Sequence, residues 1–309
     1  MSPRNVRIIL GLLAALLAAY ALSRVLGGRD GRIQSAGIDV GGAVDSGTSL
    51  IRVRKPGGSD SIRLERVGDA WRVNGYPADT GEVRSLIAAL DTATALELVS
   101  RSPANHPRLG VTEEAGHLVA FGGADPPALS ILIGNSGRGG RYVRSPDAPE
   151  VYLLPGNGGQ LLTRDADSWR DRVIAALDTS LVREVVIRRG AEALVLSRPD
   201  SVWVLDGEAA DSSRVRSLLG GLTRLTAMRF PPDSVAVRAD FDAPEAVLEA
   251  YDEAGASAPA AAPLASLLFV KEEEGSNYLV RRADRPVVYL LAEWSVNRLL
   301  PTPEELDGE

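Results

Sequence analysis

The chain has 309 residues, more than one hydrophobic core usually serves, so two globular units with an N-terminal appendage are expected. Cysteine is absent and only His106 and His117 represent histidine, which excludes disulfides, thiol catalysis, cysteine-ligated metals and a lipid anchor built on cysteine. Arg4, Arg7, Arg24, Arg29 and Arg32 against Asp30 make residues 1–32 net +4 in a chain of −7, so the remainder carries −11, and an acidic body argues against nucleic acid as the partner.

Residues 8–22 form an unbroken apolar run, which Val25 and Leu26 extend past Ser23 and Arg24. A bilayer span takes about 20 residues, so 8–26 is read as a single-pass signal anchor whose flanking Arg7 and Arg24 reach the headgroups. A cleaved signal peptide is the alternative, with Arg4 and Arg7 as its basic start and Ala19-Tyr20-Ala21 as its cleavage site. Both readings export the body. Residues 1–7 are then a cytoplasmic tail, following the usual layout of a short tail before an exported domain, although Arg24, Arg29 and Arg32 oppose it. Residues 27–48, rich in Gly, Ser, Ala and Asp, read as a flexible tether.

Beyond residue 48 the chain resembles itself. Residues 71–86 align without gaps to residues 203–218, at an offset of 132 between Trp71 and Trp203, and Val151-Tyr152-Leu153-Leu154 matches Val288-Tyr289-Leu290-Leu291. A period of that size is too long for a solenoid and signals tandem duplication of a small domain, here 49–175 followed by 176–305.

In chain order, residues 61–67 alternate polar and apolar as a half-buried strand should, and 71–73 reads as its partner, closed by a turn at Asn74-Gly75. Val83, Leu86, Ile87 and Leu90 then fall at helical spacing, with Asp79 and Glu82 placed as a capping box. Strands are expected at 117–121, 128–133, 141–144 and 151–154. The second copy repeats the series: a strand at 193–198, another at 203–205, a turn at Asp206-Gly207, a helix capped by Asp211 with Val215, Leu218, Leu219 and Leu222 on one face, and strands at 246–251, 267–271, 278–281 and 287–291. Residues 253–266, with Ala-Pro-Ala-Ala-Ala-Pro inside, read as an inserted loop. Runs of strands broken by occasional helices give an α+β class with antiparallel sheets, as two tandem copies behind one N-terminal transmembrane helix.

The order of several motifs resembles the bacterial domain-of-unknown-function family 4340. They are the apolar helix, the Trp71 to Asp79 block, Leu109-Gly110-Val111, Ile133-Gly134 before Tyr142, residues 151–154, Ser168-Trp169-Arg170-Asp171 and the second block from Trp203 to Asp211. The resemblance implies a membrane-tethered extracytoplasmic domain, often encoded beside ABC-type exporters of the gliding-motility kind, and it brings no catalytic residues with it.

His106 sits in Pro103-Ala-Asn-His-Pro107 and His117 opens a strand, without the clustered ligands a metal site needs, and no Asp-x-Asp-x-Asp-Gly calcium loop occurs. Ser136, in Gly134-Asn-Ser-Gly-Arg-Gly-Gly140, lacks nucleophile-elbow spacing, and the same glycines lack the Gly-Lys-Ser/Thr of a phosphate loop, so a hairpin explains them. Asp79 and Asp211 are read as helix caps, the four tryptophans Trp71, Trp169, Trp203 and Trp294 as core, and Lys271-Glu-Glu-Glu-Gly275 as a solvated hairpin tip. No catalytic residue, cofactor or metal is assigned. The expected function is a non-enzymatic accessory or scaffold in the bacterial inner membrane, single-pass with its bulk outside the cytoplasm and ABC transporter subunits as partners. A ligand- or glycan-binding module with its site between the repeats is the alternative, and an envelope hydrolase the third.

Overall fold

The structure, a computed structural model, describes residues 38–44, 48–58, 61–93, 96–123, 127–252 and 262–307. The expected tail 1–7, the membrane segment 8–26 and most of the tether lie outside the described residues, as does much of the expected loop 253–266. Among the described residues no helix is long and apolar enough to cross a membrane.

The protein is α+β, with two large antiparallel sheets and several helices. Its described residues divide into two compact units, one taking those up to Asn74 with Thr80–Asp165, the other Gly75–Asp79 with those from Ala166 onward.

The first unit begins earlier than composition suggested. Residues 38–44, read as tether, carry α1 (Val40–Ala43), capped by Asp39 through Gly42 N–H. Ile38, Val40 and Val44 are almost fully buried. Three isolated apolar residues among glycines are invisible to a periodicity search, yet each removes enough surface from water to tie the segment down. The strands are β1 (Leu50–Arg54), β2 (Ser61–Val67), β3 (Ala70–Val73), β5 (Glu97–Ser100), β6 (His117–Phe121), β7 (Leu129–Gly137), β8 (Gly140–Arg144) and β9 (Val151–Pro155), while β4 (Tyr76–Pro77) falls in the Gly75–Asp79 stretch of the other unit. The strands of the first unit run in the order β3-β2-β1-β6-β7-β8-β9-β5. Strand β1 went unpredicted, since five residues with two inward positions give little alternation to detect, yet it joins β2 to β6 at the middle of the sheet.

Helix α2 (Thr80–Asp91) buries Val83, Leu86 and Leu90, the expected stripe, and packs on β3. Between β5 and β6 lie a 3-10 turn (Pro103–Asn105) and α3 (His106–Leu109); α4 (Gly158–Leu162) follows β9 and packs on α2, β8 and β9. The inward residues of β1, β2, β3 and β6, among them Ile51, Val53, Leu64, Val73, Val119 and Phe121, are essentially inaccessible.

In the second unit, β10 (Val173–Ala175) pairs with β15 (Leu225–Thr226). The large sheet contains β11 (Glu184–Arg189), β12 (Glu192–Ser197), β13 (Val204–Leu205), β14 (Glu208–Ala209), β16 (Ala246–Tyr251), β17 (Ala265–Lys271), β18 (Tyr278–Arg282) and β19 (Val288–Leu291). Their order is β14-β13-β12-β11-β16-β17-β18-β19. Strand β11 also went unpredicted: Glu184, Val185, Val186 and Ile187 are all buried, so a fully covered strand shows no alternation. Helices α5 (Ser212–Thr223), α7 (Glu293–Leu299) and α8 (Pro303–Leu306) close one core with Val185, Ile187, Leu248, Leu267, Phe269 and Tyr289. The short α6 (Asp233–Ala236) lies in a segment whose Val235, Ala239 and Phe241 pack with Leu279 and Leu290 in a separate cluster.

Local chemistry explains the shared features. Asn74 and Gly75 take φ of 50° and 87°, and Asp206 and Gly207 take 51° and 91°, so both expected turns have the two positive φ angles that match a hairpin's twist. Asp211 caps α5, its Oδ1 accepting from the N–H groups of Ser213 at 2.7 Å and Arg214 at 2.9 Å. The Ser213 hydroxyl, which donates to the same oxygen at 2.6 Å, and then those two N–H bonds hold the Asp211 carboxyl below its ordinary range.

Candidate functional site

In the first unit the chain between β5 and β6 folds back onto the sheet. Leu109, Val111 and Val151 pack together there, with Tyr142 against them. Gly110, at φ 71°, ends α3 in the left-handed conformation and donates to the carbonyls of His106 and Pro107. Gly134 lies so close beneath this turn that a Cβ would come within 2.3 Å of Leu109 O and 2.7 Å of Val111 Cγ1. Three polar side chains pin the segment. Asn135 Nδ2 donates to Arg108 O at 3.1 Å, His106 Nε2 meets Pro149 O at 2.8 Å, and the buried Arg144 donates to Val111 O, Ser145 O, Pro146 O and Ala148 O, each at 3.0 Å. The guanidinium thus meets four carbonyls and serves as a staple.

Beside this covered patch the sheet presents a cationic face. Arg52 and Arg54 alternate outward on β1, and Arg52 lies opposite Arg63 on one side and Ala120 on the other. All three arginines are exposed, and Arg63 Nη2 pairs with Glu65 at 2.7 Å. Neither Arg52 nor Arg54 forms an ion pair among the described residues. Like charges directly across a strand pair are destabilising, so this arrangement runs against what folding alone favours. In the second unit Arg188 of β11 pairs with Glu249 of β16, whose carboxylate also accepts from the hydroxyls of Tyr251 at 3.1 Å and Ser266 at 3.5 Å.

In the second unit, Trp169 is almost fully buried and its carbonyl accepts from Asp79 N–H at 2.8 Å, while Asp171 N–H donates to Pro77 O at 2.9 Å. The Arg170 guanidinium stacks on two rings, 4.0 Å from the Tyr76 centroid and 3.6 Å from that of Phe230. Asp171 Oδ1 accepts from Val173 N–H at 2.9 Å.

Residues 71–210 match the family model described as a domain of unknown function, DUF4340. This stretch is a DUF4340 domain. No curated protein and no solved structure matches the chain. The DUF4340 match opens on Trp71 and closes on Ala210, taking in both Trp-led hairpins, the Gly134 turn and the Trp169 to Asp171 segment. Of the motifs that carried the resemblance, Leu109-Gly110-Val111, Gly134 and the Trp169 to Asp171 segment are positions of close packing and backbone pinning, and the apolar helix lies outside the described residues.

The residues singled out from sequence are scattered. Trp71 and Trp169 are core, and Trp203 is half-buried against the second core with Arg198 5.4 Å from its ring. Trp294 departs from expectation, at 69% exposed. Helix α7 turns Ser295, Val296 and Leu299 inward, and Trp294 falls off that stripe. Ser136 lies on β7 opposite Arg141, in a β7–β8 hairpin, and Glu82 pairs with Arg164 at 2.7 Å. No group of three or more His, Cys, Asp or Glu able to hold a metal occurs among the described residues. Glu272 to Glu274 sit at the β17–β18 turn and rim a groove of about 370 Å³ floored by Val235, Ala239, Val270 and Leu279.

His117 sits by a small polar cluster at the end of β6. Lys55 Nζ meets Asp165 at 2.7 Å, and Arg141 donates to Gly134 O and to Thr163 Oγ1. Burial first, then the Arg141 and Lys55 cations, hold the His117 ring below its ordinary value, with Asp165 opposing them. With the folded value depressed, the unfolded chain takes up the proton first. The stability contributed by the neutral ring is therefore present above about pH 6.5 and is lost as pH falls through the folded value. A ring titration followed by NMR should have its midpoint below 6.5, and His117→Asn should flatten the acid limb of the stability curve. A midpoint at or above 6.5 would refute this.

Proposed function

We propose that this chain is a non-enzymatic, membrane-tethered protein whose bulk lies outside the cytoplasm, built from two copies of one α+β unit and serving as an accessory or scaffold to a membrane complex such as an ABC exporter. Support for the duplication comes from register. Glu97 pairs with Leu153 as Arg229 pairs with Leu290, and Ala78 bridges Arg170 as Ala210 bridges Asp307. Both sheets also place an unpredicted strand, β1 or β11, between the Trp-led hairpin and the second run of strands.

The observation that carries the scaffold reading is Trp294. A tryptophan 69% exposed at the start of α7, with the Arg298 guanidinium 5.9 Å from its ring, leaves a large apolar surface in water. Tryptophan and arginine dominate the energetic centres of protein interfaces. The apolar segment 8–26 supplies the membrane tether, and the bacterial inner membrane is the site it implies. A photo-reactive residue replacing Trp294 in the full chain, irradiated in native membranes, should crosslink to transporter subunits, with residues 8–22 intact in the recovered chain. A chain that purifies alone after irradiation would overturn the scaffold reading, and a mature N-terminus near Leu22 would overturn the tether.

A further inference from the structure

The open face of the first sheet holds a shallow cavity of about 450 Å³. Its walls include Arg52, Arg54 and Arg63, its floor Leu118 and Ala120, and Ser61 and Ser130 stand at its sides. The floor is apolar and the walls are cationic, a combination suited to an amphiphile with one anionic group. Three guanidiniums around one depression, with Glu65 on Arg63 alone, offer paired N–H donors in the geometry that phosphate oxygens accept. The same face of the second sheet is filled differently, with Glu249 drawing in Arg188, Tyr251 and Ser266. The first sheet has Ala120 across from Arg52, and among the described residues neither Arg52 nor Arg54 has an acidic partner.

We infer that this face binds the phosphate group of an anionic lipid, with Arg52 and Arg54 as the principal contacts and Leu118 and Ala120 against the adjoining hydrocarbon. The site does not depend on residues 8–26 entering a bilayer, so its failure and the failure of the tether are separable.

The test uses the full chain in neutral detergent, with phenylglyoxal modification of Arg52 and Arg54 read by mass spectrometry during titration with short-chain phosphatidylglycerol, short-chain phosphatidylcholine or inorganic phosphate. Phosphatidylglycerol should protect both arginines, and phosphatidylcholine should not. Protection should weaken in 1 M salt, where the screening length is about 3 Å. The variant Arg52→Gln/Arg54→Gln, followed by the Arg63 signal, should bind about 25-fold more weakly, some fivefold for each guanidinium. Arg188→Gln in the second unit is the control and should leave binding unchanged. Equal protection by phosphatidylcholine would overturn the proposal, as would protection by inorganic phosphate at the same concentrations as phosphatidylglycerol, which would make the ligand a free anion. No protection by any of the three would overturn it outright.

Discussion

Arg144→Met is expected to destabilise the first unit by about 3 kcal/mol, the upper end of the cost of leaving buried hydrogen-bonding groups without their partner. Arg144 is 8% exposed and its guanidinium donates to four carbonyls, of Val111, Ser145, Pro146 and Ala148. Methionine keeps the length and apolar character of the stem, so the loss reports the carbonyls left without a donor. Arg144→Lys should restore part of it, since an ammonium cannot reach across in the planar fork that spans Val111 and the 145–148 turn. Denaturant unfolding with hydrogen exchange resolved by segment is the measurement, because two compact units need not unfold as one. Protection should fall in residues 106–111 and in β7 to β9, and hold in α5 and β16 to β18. A loss below about 1 kcal/mol would show the staple to be dispensable.

Gly134→Ala should cost about 3 kcal/mol, the upper part of the range for overpacking. The added methyl has no room, since it would meet Leu109 O, the Gly110 carbonyl carbon and Val111 Cγ1 at 2.3 to 2.8 Å. Two of those atoms are backbone, so the α3 turn must lift from the sheet. Gly220→Ala, on α5 with nothing within 4 Å of its Cβ position, is the matched control and should stabilise slightly through helix propensity. A first unit that tolerates Gly134→Ala with unchanged exchange at Val111 would show the turn able to move without cost.

Much of the fold was legible where a local rule acts alone. Asn74-Gly75 and Asp206-Gly207 announced their hairpins because few residues accept positive φ. Val83, Leu86 and Leu90, and Val215, Leu218 and Leu222, announced their helices because a stripe at that spacing needs a core on one side. The motifs at Leu109 to Val111 and at Ile133-Gly134 were readable as motifs, but their meaning was not. Gly134 is small because a carbonyl from 25 residues away sits where its side chain would be.

Sequence by itself determined the α+β class, the antiparallel run of strands, and the two Trp-led hairpins with their following helices. Each depends on residues close together in the chain. Only the tertiary structure decided that β1 and β11 join the halves of their sheets, that residues 38–44 pack rather than tether, that Trp294 faces solvent, and that Arg52, Arg54 and Arg63 share one open face. Those outcomes hang on which strands become neighbours, and a strand's own residues specify which way its side chains alternate but not what stands across from them.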